Sequence, residues 1–245
     1  TIADAGLPYE VPRGAERVER LASVLGVLYL IFNEGYSATA GEDWMRPQLC
    51  EEAMRMGRIL TQLMPEEAEV HGLLALMEIQ HSRVNARTNA KGEPILLPDQ
   101  NRALWDQLMI RRGLNGLQRV TALGGDTGPY ALQAAIAACH ARARRAEDTD
   151  WRRIASLYAL LVEVMPSPVV ELNRAVAVSM AEGPAPALTL VDAIRSGGLL
   201  DNYHLLYGVR GDLLSKLGRH TEANLDFRRA AELTRNEREK AYLLG

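Results

Sequence analysis

Between Thr149 and Val178 apolar positions recur at helical spacing, and the same pattern returns further along the chain. Ile154, Tyr158, Leu161 and Met165 follow one another at steps of four, three and four, one stripe of an amphipathic helix. Pro166 and Pro168 stop that helix, because proline lacks the backbone donor and clashes with the preceding turn. Ser167, between them, stands where the next helix needs an N-cap. The spacing Ala187, Val191, Ile194 reappears as Ala223, Phe227, Ala230, 36 residues later, and Ile154 precedes Ala187 by 33. A helical hairpin recurring at about 34 residues builds a stacked array in which each unit buries its apolar face on the next.

The same patterning predicts paired helices along most of the chain. The pairs are 17–34 with 46–63, 66–87 with 99–111, 129–145 with 150–165, 168–181 with 185–195, and 203–217 with 221–234. A short helix at 113–123 ends at Gly124-Gly125. Pro65 followed by Glu66 and Glu67 reads as a helix start. Asp99, Thr221 and one of Asp148, Thr149 or Asp150 are the expected caps, and Gly218 closes the helix before Thr221. Residues 1–16, with Pro8, Pro12 and Gly14, read as an arm or linker. The expected fold is therefore all-α, a TPR-like helical-hairpin solenoid or superhelix. Its hairpins at 17–124 repeat less regularly than the TPR-like repeats at 125–245, and both pack as one continuous domain. Ile154, Tyr158, Leu161, Leu213, Phe227 and Ala230 are expected between hairpins.

Composition narrows the function classes. Hydrophobic residues make up 47% and charged residues 24% of 245 positions, ordinary for a soluble globular chain. The net charge of −3 argues against a nucleic-acid binder, since phosphate contacts need a basic face. The runs Arg111-Arg112, Arg142 to Arg145 and Arg228-Arg229 sit in helical patterns and read as solvated faces. Cys50 and Cys139 are isolated thiols that suit a reducing cytoplasm. The longest apolar run, Val27 to Phe32, is too short to cross a bilayer, no signal peptide is visible, and no membrane partner is expected. The chain starts at Thr1 without methionine and reads as a piece of something longer.

Three groups of polar residues stand out. Asn33, Glu34 and Tyr36 close a strongly apolar helix, with Arg46, Arg83 and Arg87 as partners for Glu34. Arg83 and Arg87 are spaced i, i+4 and so share a helix face. A salt-bridge network locking the first two hairpins and a polar pocket both account for this group, and Glu34 is expected to be substantially buried. The second group is Asp99, Gln100, Arg102, Trp105 and Asp106, explained by Asp99 as N-cap and Trp105 as core anchor, or by a ligand or docking role. His140, with Gln133 on its helix, has no second metal ligand at helical spacing. The third is Asn173 with Arg174. If Ala175 holds the small-residue position of a repeat, Asn173 falls where such modules hold a peptide backbone or carboxylate. Leu205 and Val209 stand where the next basic residues of a carboxylate clamp belong, so the clamp is incomplete, and a helix-cap network is the alternative. His71, His81, His140, His204 and His220 form no metal-binding pair, no nucleophile–base arrangement has local support, and the glycines at 124, 125 and 128 lack a following Lys-Ser/Thr. No catalytic residue, metal or cofactor is expected.

Several blocks resemble a known family in its own order. They are LPYEVP at 7–12, VLYLIFNEGYSA at 27–38, LMPEEAEVHGLLALM at 63–77, LPDQNRALWD at 97–106, GPYALQAAIAACHA at 128–141, and TDW with PSPVVELNRAVAV at 149–178. Together they resemble the TPR-type C-terminal extension of a group of extracytoplasmic-function (ECF) RNA polymerase sigma factors. The resemblance implies a non-catalytic regulatory domain that docks on its own sigma regions, on RNA polymerase or on a regulatory protein. It also implies that promoter DNA is contacted only by regions N-terminal to this stretch, since no basic recognition helix is present here. The alternatives are an independent TPR-like scaffold for a peptide or protein, and a small-molecule sensor or enzyme using a polar pocket near Glu34 and Arg83.

Overall fold

The computed structural model describes residues 14–37, 45–90, 92 and 94–234. Among them are ten α-helices and no β-strand. They are α1 (Ala15–Tyr36), α2 (Pro47–Leu63), α3 (Ala68–His81), α4 (Gln107–Ala122), α5 (Pro129–Arg142), α6 (Trp151–Val164), α7 (Pro168–Glu182), α8 (Pro184–Ser196), α9 (His204–Lys216) and α10 (His220–Leu233). Consecutive helices pair into five hairpins, α1 with α2 through α9 with α10, and α3 also packs along α5. The arm at 1–16 falls almost wholly outside the described residues.

The repeat read from the sequence is the packing repeat. Ile154, Ala187 and Ala223 occupy equivalent places on α6, α8 and α10, and all are at most 2% exposed. The C-terminal core gathers Val191, Leu206, Leu213, Leu214 and Ala230, and the N-terminal core gathers Phe32, Met54, Leu73 and Met77. Tyr158 and Phe227 are only half-buried, and Met165 is 37% exposed. Met165 lies beyond the last turn of α6, where the stripe no longer faces the next hairpin.

Helix boundaries depart from the pattern where tertiary contacts overrule local propensity. The expected helices 99–111 and 113–123 are one helix, α4, which begins only at Gln107. Asp106 starts it, accepting the backbone N–H groups of Leu108 and Met109 at 2.8 and 3.0 Å. Asp99 caps no α-helix and sits exposed in the 3₁₀ turn Leu97–Asp99. Gly113, the first residue of the expected second helix, lies inside α4, and a Cβ there would fall 2.5 Å from Ile79 Cγ1 on α3. Its hydrogen side chain lets the two helices touch. Helix α3 starts at Ala68, after a turn at Pro65–Glu66, and ends at His81 instead of 87. Asp150 is the cap of α6, accepting from Arg153 N at 2.9 Å, whereas α10 starts at His220 without a side-chain cap and Thr221 lies inside it.

Between the second and third hairpins, Glu69 of α3 accepts the N–H groups of Tyr130 and Ala131 at 2.9 and 3.1 Å. A carboxylate on the positive end of α5 satisfies two of its unpaired donors and ties α5 to α3.

A candidate polar pocket between the hairpins

The end of α1 reaches α2 through Gly35, where a Cβ would stand 2.7 Å from Cys50 N. Glu34 meets Arg46 at 2.9 Å, as one of the expected pairings required. Its side chain is nevertheless 29% exposed and that of Arg46 43%, so the pair is a partly solvated bridge and not the buried network expected. Such pairs contribute about 0–1 kcal/mol. Asn33, one position earlier, is half-buried, and its carbonyl accepts from Ser37 N at 2.8 Å.

Arg83 and Arg87 do not share a helix face, because α3 ends at His81 and both lie in the turns beyond it. Arg87 turns back to α1. Its guanidinium carbon stands 3.4 Å from the Tyr36 ring centroid, and it donates to the Tyr36 carbonyl. Only 6% of Arg87 is exposed, and burial lowers its pKa. Arg83 lies 5.9 Å from the centroids of both Tyr36 and Trp105. Arg102 stands 4.6 Å from the Trp105 centroid and donates to the carbonyls of His140 and Ala143, a cation on the negative end of α5. Tyr36, Arg87, Arg83, Trp105, Arg102 and His140 thus form one continuous row, joining residues that the sequence presents as separate clusters. Asp99 stays outside it.

Beside this row opens a cavity of about 240 Å³ between α3, α5, α6 and α7. Gln80 of α3, Arg83 beyond it, Gln133 and His140 of α5, Tyr158 of α6 and Asn173 of α7 line it, together with Leu97, Ile136, Leu161, Met165 and Val170. Gln133 accepts from Tyr29 Oη at 3.0 Å and donates to Pro129 O at 3.1 Å. The side chains of the other five polar residues make no hydrogen bond among the described residues, and Arg83 Nε is fully buried without a partner. Among the described residues no carboxylate lines the cavity.

Arg83 brings one positive charge to the pocket lining. Burial holds the His140 imidazole down to about 4, with Arg83 and Arg102 adding to the effect, so the ring is neutral at physiological pH. Its edge packs on Trp151 at 5.2 Å. Burial also pushes the Tyr158 hydroxyl up to about 12. One guanidinium, a neutral imidazole, a phenol and amides can hold an anion. Both cysteine thiols are buried away from the pocket, and burial raises their pKa values, that of Cys50 to about 11. Among the described residues no group of three His, Cys, Asp or Glu side chains is placed to hold a metal.

Arg83, His140 and Asn173 therefore come together as pocket residues. Asn173 lies inside α7 and forms no cap network, and Arg174 turns aside to Glu171, at 2.9 Å from Nε. Leu205 and Val209 stand on α9, beyond the pocket. The sequence reading missed Gln80 and took Tyr158 for core. Signals for both existed: Gln80 precedes Arg83 by three positions near the end of its helix, and Tyr158 carries the only hydroxyl on its stripe.

Comparison with known proteins gives a family and one relative. Residues 20–121 match a family of unknown function, DUF6596, a stretch that ends within α4. An uncharacterized protein of Rhizobium meliloti (strain 1021) is 48% identical over 242 residues, which cover 99% of this chain and 56% of that protein. The chain thus spans about half the length of the curated relative it matches. No solved structure matches. Among the described residues no helix is long and apolar enough to cross a membrane.

Proposed function

We infer that this chain is a non-catalytic regulatory domain of an ECF-type RNA polymerase sigma factor, acting in the cytoplasm in transcription initiation. Its docking partner is the protein's own sigma regions on polymerase. The observation that carries this is the outer face of α1, where Val24, Val27 and Leu30 are 46%, 56% and 67% exposed along one side of the helix. An apolar stripe of that kind suits a protein contact. Helix α1 follows directly on the arm, and the sequence resemblance puts the sigma regions just before it. So short a tether sets an effective concentration on the order of millimolar, enough to occupy a weak apolar contact without a separate anti-sigma protein. The R. meliloti relative extends well beyond the aligned stretch, which leaves room for such regions in that protein. Promoter contact falls to the sigma regions, since this stretch carries a net charge of −3.

The test is in vitro transcription with the full-length protein, a form truncated at the arm, and a full-length form carrying Val27→Glu and Leu30→Glu. Truncation and the double substitution should shift transcript level in the same direction. Residues 1–245 added in trans should restore the truncated form only at high concentration. If truncation leaves transcript level and promoter occupancy unchanged, a free-standing TPR-like scaffold replaces this function.

A further inference from the structure

We propose that the pocket between α3, α5, α6 and α7 binds a small organic carboxylate, its charged group on Arg83 and its apolar body against Ile136, Leu161 and Val170. The proposal is independent of sigma-factor docking and is tested on this chain by itself.

Arg83 is the anomaly that points to a ligand. Arg58, Arg174 and Arg210 pair with carboxylates, and Arg87 and Arg102 donate to backbone carbonyls. Arg83 has no ion pair and no side-chain hydrogen bond among the described residues, and its Nε is buried without a partner. A buried unsatisfied donor is destabilising, more so on a charged group, and native structures retain few of them without a reason. Gln80, His140, Tyr158 and Asn173 face the same space, also without hydrogen bonds among the described residues. Five unengaged polar side chains converging on one cavity match what a polar ligand group requires.

Size and charge narrow the class. A cavity of about 240 Å³ falls below the usual range for drug-sized ligands, so the occupant is metabolite-sized. Half of its lining is aliphatic, which calls for an apolar body. Arginine's planar fork matches a carboxylate in two parallel hydrogen bonds. A doubly charged phosphate suits the place less well. The pocket lies near the C-terminal ends of α3 and α5, where the helix dipoles are negative, and among the described residues one guanidinium is its lining cation. A neutral His140 can donate one hydrogen bond without adding charge.

The experiment titrates the purified chain with hexanoate, benzoate, hexanamide, inorganic phosphate and a short alanine-rich peptide with a free C-terminus. Calorimetry gives stoichiometry. Fluorescence follows Trp105 and Trp151, which adjoin Arg102 and His140. Expected is saturable binding of hexanoate or benzoate at one per chain, with none for hexanamide. Arg83→Gln should weaken it by roughly tenfold to a hundredfold with the helical spectrum unchanged. Asn173→Leu, at an exposed position that folding does not need, should weaken it less. In the complex the His140 imidazole should titrate at higher pH than in the free chain, because an adjacent anion favours its charged form. The proposal is overturned if neither carboxylate saturates at millimolar concentration, if Arg83→Gln binds as the parent does, or if only phosphate or only the peptide binds.

Discussion

The guanidinium of Arg210 meets the carboxylate of Asp226 at 2.6 Å, with the two side chains only 10% and 7% exposed. A second carboxylate, that of Asp192, approaches Arg210 at 2.6 Å from a half-exposed position. One cation thereby joins α8, α9 and α10, the last three helices of the array.

Removing the buried partner should leave Arg210 charged beside a solvated acid alone. Asp226→Ala is expected to destabilise by about 3–5 kcal/mol, and Asp192→Ala by less, because its carboxylate is already partly in water. Urea unfolding of the two variants checks the order. Replacing Arg210 and Asp226 together by leucine should recover much of the loss.

The tie between the second and third hairpins gives a second expectation. A Cβ at Gly128 would lie 2.1 Å from Glu69 Oε1, so Gly128→Ala must displace the carboxylate that accepts from Tyr130 and Ala131. The expected loss is roughly 1–3 kcal/mol, matched by Glu69→Ala. The two substitutions should not add, since both break the same bonds; thermal unfolding of the double variant tests this.

His140 should make stability pH-dependent. Its imidazole is held at about 4 in the folded chain, chiefly by burial, against an ordinary value of 6.5. Between those values the unfolded chain binds a proton that the folded chain does not, so stability falls as pH drops from 6.5 and the loss is complete near 4. The full effect is about 3 kcal/mol. His140→Gln should flatten this limb of the stability profile, as measured by denaturant titration from pH 7 to 4.

Promoter DNA should not be retained by this chain at physiological salt. Arg142, Arg144 and Arg145 are exposed, but Arg145 is paired with Glu147 and Asp148, and the whole chain is acidic. Sequence-specific retention of a duplex in a gel-shift assay would contradict this.

The helical hairpins were legible in the sequence because their cause is local. A stripe at Ile154 and Leu161, a proline stop at Pro166 and a repeated spacing at Ala187 and Ala223 need only neighbours within a few turns to be recognised. The burial of Ile154 and Ala230 was legible for the same reason. Errors arose where a residue's role depends on a partner distant in sequence. Gly113 reads as the first residue of a separate helix until Ile79 of α3 lies against it, and Phe227 resembles a core residue until its ring is seen resting on Gly211 at the edge of the stack.

For the pocket, the residue types were visible and their association was not. Arg83, His140 and Asn173 belong to three different hairpins, and periodicity says which face of its own helix each occupies, never which neighbouring face it meets. The early end of α3 sends Arg87 onto Tyr36 and leaves Arg83 equally far from Tyr36 and Trp105, an arrangement that no i, i+4 spacing reveals. Sequence also counts arginines without saying which ones find a carboxylate. The fold brings aspartates of α8 and α10 to Arg210, whereas among the described residues no carboxylate pairs with Arg83, which meets aromatic rings and faces amides and an imidazole across the pocket.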